Sequence, residues 1–373
     1  MADVYLITLV ISLLVGAVTT LLLLALSRRP RFATMFAVRG EAERPRWGGV
    51  VLLATFALTP FIASAFSSHA SDLFSPKSGS FLGFLAGCAL VFLVGFLDDV
   101  RLTSPWLRTA VFVAGGVAAY SAGYRIDDVG LPWGADVHLG PVISLVVTVV
   151  WVYATTNAFN FIDGRDGVAL GVAIFAAATM AQVAAHADHP TVALLLLALA
   201  GGGLGLLPFN LPPASAYVGD SGAYVLGFVL GTLSIRGATG PEDAVFIAVP
   251  LVALGYPIFD LVLAPLRRIL HGQHPMRGDE DHIHHRIEGA GAGPRGLLVI
   301  IYSLAAAFSG AAILLHFVDN VWTEAAVFVA LIATVTVTLL RLGYIVTIWN
   351  SDGVVWLRQR VFAPAPGGRS DAD

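Results

Sequence analysis

Charge is what this chain has least of. Asp, Glu, Lys and Arg make up 12% of its 373 residues, while 57% are hydrophobic and the mean hydropathy is +0.80. Soluble domains are about one quarter charged, so this chain has too little polar surface to coat a water-soluble body and reads as an integral membrane protein. The single cysteine, Cys88, sits inside an apolar run, which excludes an intrachain disulfide and a Cys-based metal site. No basic residue precedes the first apolar run and an Arg-rich segment follows it, so we expect an uncleaved, multi-pass chain. No internal repeat of the kind that builds inverted transporter halves is found. The net charge of −4 means little by itself, and no nucleic-acid partner is expected.

What the chain has in quantity is long apolar runs. Eleven are long enough to span as helices: about 4–26, 49–66, 81–97, 106–124, 142–159, 168–185, 191–207, 221–236, 244–265, 297–315 and 321–345. Several are short or cut by Gly and Pro, so ten or twelve spans are also compatible with the pattern. The basic residues test the count. With the N-terminus outside, eighteen of the 21 fall on the cytoplasmic side, and only Lys77, Arg125 and Arg236 fall outside. Losing or adding a span in the middle would destroy that positive-inside bias. The expected fold is therefore an all-α integral membrane protein of about eleven transmembrane helices, with residues 1–357 as one domain. A tail at 358–373, rich in Pro, Gly and Ala, is expected to be disordered and cytoplasmic. The outer segment 125–141 alternates apolar and polar residues around Gly130, Pro132, Gly134 and Gly140, which predicts a small external β-hairpin.

Under this topology the polar clusters share one side of the membrane, which predicts a site facing the cytoplasm. The segment 157–167 reads Asn-Ala-Phe-Asn-Phe-Ile-Asp-Gly-Arg-Asp-Gly between two spans, and polar groups at such a position usually mark function. Asn160, Asp163 and Asp166 recur every three residues, near one face of a helical turn, and their oxygens suit Mg²⁺ or a nucleotide. Asp98 and Asp99 close the third span; they are either a solvated helix end or a pair able to bind a cation or accept a proton. Asp220, in Gly219-Asp220-Ser221-Gly222, follows Asn210 and Tyr217 and is either a helix N-cap or a ligand. Tyr217 is either a base-stacking platform or an interfacial aromatic. His282, His284, His285 and Arg286 lie in a His-rich loop where zinc is the alternative to phosphate. The neighbouring arginines and the absence of an i, i+4 histidine pair favour phosphate. Arg44 and Arg46 are candidates for the same anion or plain topology signals, and Asp260 is expected to pair structurally with Arg267 or Arg268.

In this order the motifs resemble those of the polyprenyl-phosphate N-acetylhexosamine-1-phosphate transferases. The stretches that carry the resemblance are Gly95-Phe96-Leu97-Asp98-Asp99, residues 157–167, residues 209–222, and residues 260–286 ending in His-Ile-His-His-Arg. The His-x-His-His form looks like the branch that transfers GlcNAc-1-phosphate from UDP-GlcNAc to undecaprenyl phosphate, and less like the phospho-MurNAc-pentapeptide branch.

The resemblance implies Mg²⁺-dependent transfer, with Mn²⁺ able to substitute, of a sugar-1-phosphate from a UDP-N-acetylhexosamine to a polyprenyl phosphate, releasing UMP. By motif position Asp220 and Asn160 would hold the metal. Asp163, Asp166, Asn210 and Tyr217 would serve the nucleoside, Asp98 and Asp99 the acceptor phosphate, and His282, His284, His285 and Arg286 the diphosphate or sugar. A plasma-membrane location is implied, and a homodimer is compatible with it. Three departures stand out: no third carboxylate follows Asp98-Asp99, Arg165 stands where the family usually has an aliphatic residue, and the first cytoplasmic loop is short around Arg44 and Arg46. The rival classes are a secondary transporter, which would carry its charges near the midplane, and a zinc hydrolase using the histidines.

Overall fold

Long apolar segments become helices in a bilayer because each backbone N–H and C=O must find its partner inside its own segment. The computed structural model describes residues 1–29, 45–73, 79–130, 136–239, 244–270, 283–289, 291–318 and 320–341. In chain order its helices begin with α1 (Ala2–Ser27), α2 (Gly48–Phe66), α3 (Ser68–Leu73), α4 (Gly79–Val100) and α5 (Pro105–Ser121). After two short strands come α6 (Gly140–Ile162), α7 (Val168–His186), α8 (Pro190–Asn210) and α9 (Gly219–Gly237). A third strand precedes α10 (Ala248–Ala253), α11 (Gly255–Leu270), α12 (Ile283–Gly289), α13 (Pro294–Phe317) and α14 (Val321–Arg341).

Eight of these, α1, α2, α4, α6, α7, α8, α13 and α14, are long and apolar enough to cross a membrane. The other three expected spans differ for visible reasons. Helix α5 has only 17 residues. Helix α9 carries Asp220 in its first turn and Arg236 in its last. The expected continuous span at 244–265 is corrected: it begins as strand β3 (Ala244–Phe246) and continues as two helices that meet at Leu254. Residues 244–254 are apolar without a break, and such a stretch does not distinguish strand from helix.

Helix α9 is the axis of the bundle, buried along nearly its whole length and surrounded by α2, α4, α6 and α7. Phe228 stacks on Phe84 at 6.1 Å between ring centroids, and Phe112 meets Tyr224 edge-on at 4.7 Å, so α4 and α5 are keyed to it by rings. Helices α1 and α8 touch backbone to backbone: a Cβ on Gly16 would lie 2.5 Å from the Gly202 carbonyl oxygen. Such small-residue contacts replace the hydrophobic effect, which offers no drive between helices in lipid.

The expected hairpin is present as β1 (Asp128–Gly130) antiparallel to β2 (Asp136–His138), with Val129 opposite Val137. Strand β3 adds to its other edge in parallel, with Val129 opposite Val245, to give the order β2-β1-β3. Strands β1 and β2 follow the end of α5 and precede α6, and β3 follows the end of α9, so the sheet lies at the end of the bundle opposite Asp98, Asp99 and Asp163. The expected disordered tail at 358–373 lies outside the described residues, as do Arg44 and His282.

Candidate active site

Helix α6 delivers the first functional side chains. Its last turn carries Asn160, and the Asp163 amide that closes it donates to the Asn160 carbonyl at 3.4 Å, so the three-residue spacing does stack these two. The chain then turns at Gly167, whose φ of +80° is a left-handed conformation that favours glycine. Both sides of that turn are held from outside: Tyr302 of α13 donates its hydroxyl to the Gly167 carbonyl at 2.7 Å, and the Gly167 amide donates to Asn210 Oδ1 at 3.1 Å.

Asn210 ends α8 and is 3% exposed. Its Nδ2 donates to the Ala216 carbonyl at 3.0 Å, and Asp166 Oδ2 accepts the Ala214 amide at 2.9 Å. Loops 163–167 and 211–218 are thereby one rigid unit. The second loop is tied in turn to the segment before α2: the Tyr217 amide donates to the Pro45 carbonyl, and the Gly48 amide to the Tyr217 carbonyl. That pairing places Arg46 beside Tyr217. The short first loop, which weakened the case for Arg46 in the sequence, does not keep it from the site.

Around these elements lies a cavity of about 1070 Å³, at the upper end of small-molecule sites. Asn160, Asp163, Asp166, Asn210, Tyr217, Asp220 and Arg46 all line it, as do Arg165, Glu288 and Arg295. Four stretches far apart in sequence therefore meet at one space. Burial first, and then the charges of Asp220 and Asp99, push the Asp163 carboxyl well above the usual carboxylate range, while Arg46 pulls the other way. Crowded carboxylates of this kind are what a bound cation relieves.

The donor set fits Mg²⁺ better than zinc. Carboxylate and amide oxygens are hard ligands, and among the described residues no three His, Cys, Asp or Glu side chains form a ready-made metal cage. Mg²⁺ commonly takes one or two protein carboxylates and completes its shell with water and substrate phosphates.

Asp98 and Asp99 stand behind the cavity wall, at 4% and 6% exposure. Asp99 Oδ1 accepts the Asp220 amide at 2.9 Å, and its Oδ2 accepts the Ser221 amide at 3.0 Å and hydroxyl at 2.7 Å. Asp99 is thus the cap of helix α9, supplied by another helix, and the alternative of Asp220 as its own N-cap is set aside. Asp98 accepts from the Thr103 amide and hydroxyl at 2.7 and 2.9 Å, from Arg108 Nη1 at 3.1 Å and from the Tyr224 hydroxyl at 3.1 Å.

Asp260 accepts the Ile283 amide at 3.1 Å, which anchors the start of α12, the short helix bearing His284, His285 and Arg286. This contact is additional to the pairing with Arg267 or Arg268 expected from the sequence and does not bear on it. Arg286 is half-buried, and the side chains of His284 and His285 lie outside the described residues. Missed in the sequence were Glu288, Arg295, Tyr302 and Tyr224. Glu288 sits two residues past the His-x-His-His-Arg motif, a proximity that could have flagged it; Tyr302 and Tyr224 are ordinary span aromatics by sequence.

Acidic and amide groups thus meet Arg46, Arg165 and Arg295 at one cavity in a bundle of helices long and apolar enough to cross a membrane, a lining suited to an anionic ligand. The model of glycosyl transferase family 4 matches residues 81–238. The chain is 28% identical over 322 residues to a probable undecaprenyl-phosphate N-acetylglucosaminyl 1-phosphate transferase of Bacillus subtilis, covering 84% of this chain and 87% of that protein. It is also 28% identical over 324 residues to a decaprenyl-phosphate N-acetylglucosaminephosphotransferase of Mycolicibacterium smegmatis, covering 80% and 78%. Over 208 residues, 53% of this chain and 60% of the relative, it is 34% identical to a phospho-N-acetylmuramoyl-pentapeptide-transferase of Streptococcus pneumoniae. The chain is thus similar to glycosyl transferase family 4 over residues 81–238, and over most of its length to N-acetylglucosaminyl 1-phosphate transferases named for polyprenyl phosphates.

Proposed function

We propose that this enzyme transfers GlcNAc-1-phosphate from UDP-GlcNAc to a polyprenyl phosphate, giving a polyprenyl-diphosphate-GlcNAc and UMP as the first membrane step of a cell-envelope glycan. The observation that carries the proposal is the convergence of Arg46, Asn160, Asp163, Asp166, Tyr217 and Asp220 on one cavity large enough for a nucleotide sugar. A phosphate oxygen of the lipid attacks the sugar-bearing phosphorus, and the bond to the UMP oxygen breaks. That lipid oxygen is already anionic near neutral pH, so direct attack needs no prior proton removal.

The residues divide the work. Asp220 and Asn160 are the proposed holders of Mg²⁺, which when bound neutralises the diphosphate and the departing UMP. Tyr217 offers a stacking face to the uracil, with Asp163 and Asp166 facing the nucleoside on a loop that Asn210 keeps rigid. Arg46 and the motif of His282, His284, His285 and Arg286 serve the phosphates or sugar, and Arg44 is a further phosphate candidate. Asp98 and Asp99 keep the acceptor side. Asp99 also aligns Asp220 through the backbone of α9, and Arg108 holds Asp98 in place. The polypeptide crosses the membrane eleven times, N-terminus outside, with this cavity facing the cytoplasm where nucleotide sugars are made.

The 34% identity to the pneumococcal enzyme makes a UDP-MurNAc-pentapeptide donor the second reading. The test incubates purified protein with a polyprenyl phosphate, Mg²⁺ and a panel of UDP-N-acetylhexosamines including that pentapeptide, and follows UMP and lipid-linked product. UDP-GlcNAc is expected to give the highest turnover, and Asp220→Ala to lower it by at least about 10²-fold with the protein still folded. No product from any donor, or near-normal turnover by Asp220→Ala, would count against the assignment.

A further inference from the structure

Arg165 departs from the aliphatic residue expected at its position, and the structure gives it a partner 123 residues away. Its Nε and Nη2 donate to the two carboxylate oxygens of Glu288, both at 2.7 Å, the fork-on-fork geometry that makes an arginine–carboxylate pair strong and directional. Both side chains are only partly exposed, at 39% and 27%, and both line the cavity. The pair joins the nucleotide loop after α6 to α12, the helix that carries His284, His285 and Arg286.

Helix α12 depends on such ties. It has seven residues, too few to hold a helix alone, so its position comes from its anchors. Ile283 and Ile287 are buried, and the Ile283 amide is held by Asp260. Those contacts fix the start and one face. Glu288 lies in the last turn, where a negative charge opposes the helix dipole, so its placement is explained by Arg165 and not by α12 itself.

We propose that Arg165 and Glu288 are a positioning pair, which sets the register of the histidine-bearing helix against the nucleotide loop and so completes the cavity around the donor's diphosphate. The inference rests on the transferase reading for its catalytic consequence, and on geometry alone for its structural one. It predicts that the pair matters as a unit: either side chain without the other is worth no more than neither.

Two measurements test it. Hydrogen exchange of the amides of 283–289, read by mass spectrometry on the full chain without substrate, is expected to quicken at least about fivefold in both Arg165→Ala and Glu288→Gln. The reversed pair, Arg165→Glu with Glu288→Arg, should return it towards the starting rate. Unchanged exchange in the single variants would overturn the proposal. In the UDP-GlcNAc assay each single variant should lose about tenfold in kcat with KM for the donor within about threefold, and the double Ala variant should lose no more than either single. Arg165→Lys, which keeps the charge and loses the fork, should behave as Arg165→Ala. An active lysine variant, or a defect in Arg165→Ala that Glu288→Gln does not share, would mean that Arg165 acts on substrate directly and would also overturn the pair. Absence of turnover in the unmodified protein would sink the transferase reading and leave the exchange measurement to decide.

Discussion

At the scale of single residues, Asp163 shows how the site stores unfavourable charge. Its carboxyl is raised well above the ordinary range by burial and by Asp220 and Asp99, so the folded chain holds its proton to higher pH than the unfolded chain, whose value is about 3.9. The folded state then binds more protons, and stability must fall as pH rises from the unfolded value through the raised folded one. In divalent-free detergent solution the midpoint of thermal unfolding is expected to drop as pH rises above the unfolded value of about 3.9, and Asp163→Asn should flatten that decline. Added Mg²⁺ should restore stability most at the higher pH, where the carboxylates are ionised and the cation displaces no proton. A pH-independent midpoint, or the same slope in Asp163→Asn, would remove Asp163 as the source. The residue types of this site were legible in the sequence because oxygen donors at the ends of spans have few other reasons to be there. Their division of labour was not: Asp99 and Asn210 look like ligands by type, yet their oxygens hold backbone amides of a neighbouring helix and loop.

At the scale of elements, the start of α9 is where two requirements meet at one glycine. Gly219 has φ +72°, and a Cβ there would lie 2.7 Å from Asp99 Oδ1, so an alanine would strain the backbone and push away the cap as well. Gly140, at the start of α6, is also left-handed at φ +65° but has nothing within 4 Å of an added Cβ. The two separate strain from function. Gly140→Ala should cost about 1–2 kcal/mol in stability and leave turnover near normal. Gly219→Ala should cost about 1 kcal/mol more through the lost cap, and abolish turnover by moving Asp220. Equal turnover in the two variants would mean that the Asp99 cap does not position the site. The helices themselves were readable because apolar length is a strong signal, and the hairpin because its turn residues are. The strand at 244–246 was not, since residues 244–254 are apolar throughout and its pairing with β1 is set by tertiary contact.

At the scale of the whole molecule, the structure gathers the polar clusters at one end of the bundle and leaves the sheet at the other, but a bundle alone has no inside or outside. Orientation rests on the arginines, eighteen of the 21 basic residues falling on one side for an eleven-span chain. It can be read chemically because the single cysteine, Cys88, is fully buried and should stay silent towards a bulky thiol reagent. His138, on β2, and Arg101, just past Asp98 and Asp99, are both exposed. Replacing each in turn by cysteine gives one reporter per end. A membrane-impermeant maleimide should label His138→Cys in intact spheroplasts, and Arg101→Cys only after permeabilisation. The opposite pattern would turn the cavity away from the cytoplasm, where nucleotide sugars are made, and would sink the donor assignment together with the topology. Labelling of both positions in intact spheroplasts would break the span count between them, since an odd number of crossings must separate residue 101 from residue 138 if α5 traverses the bilayer.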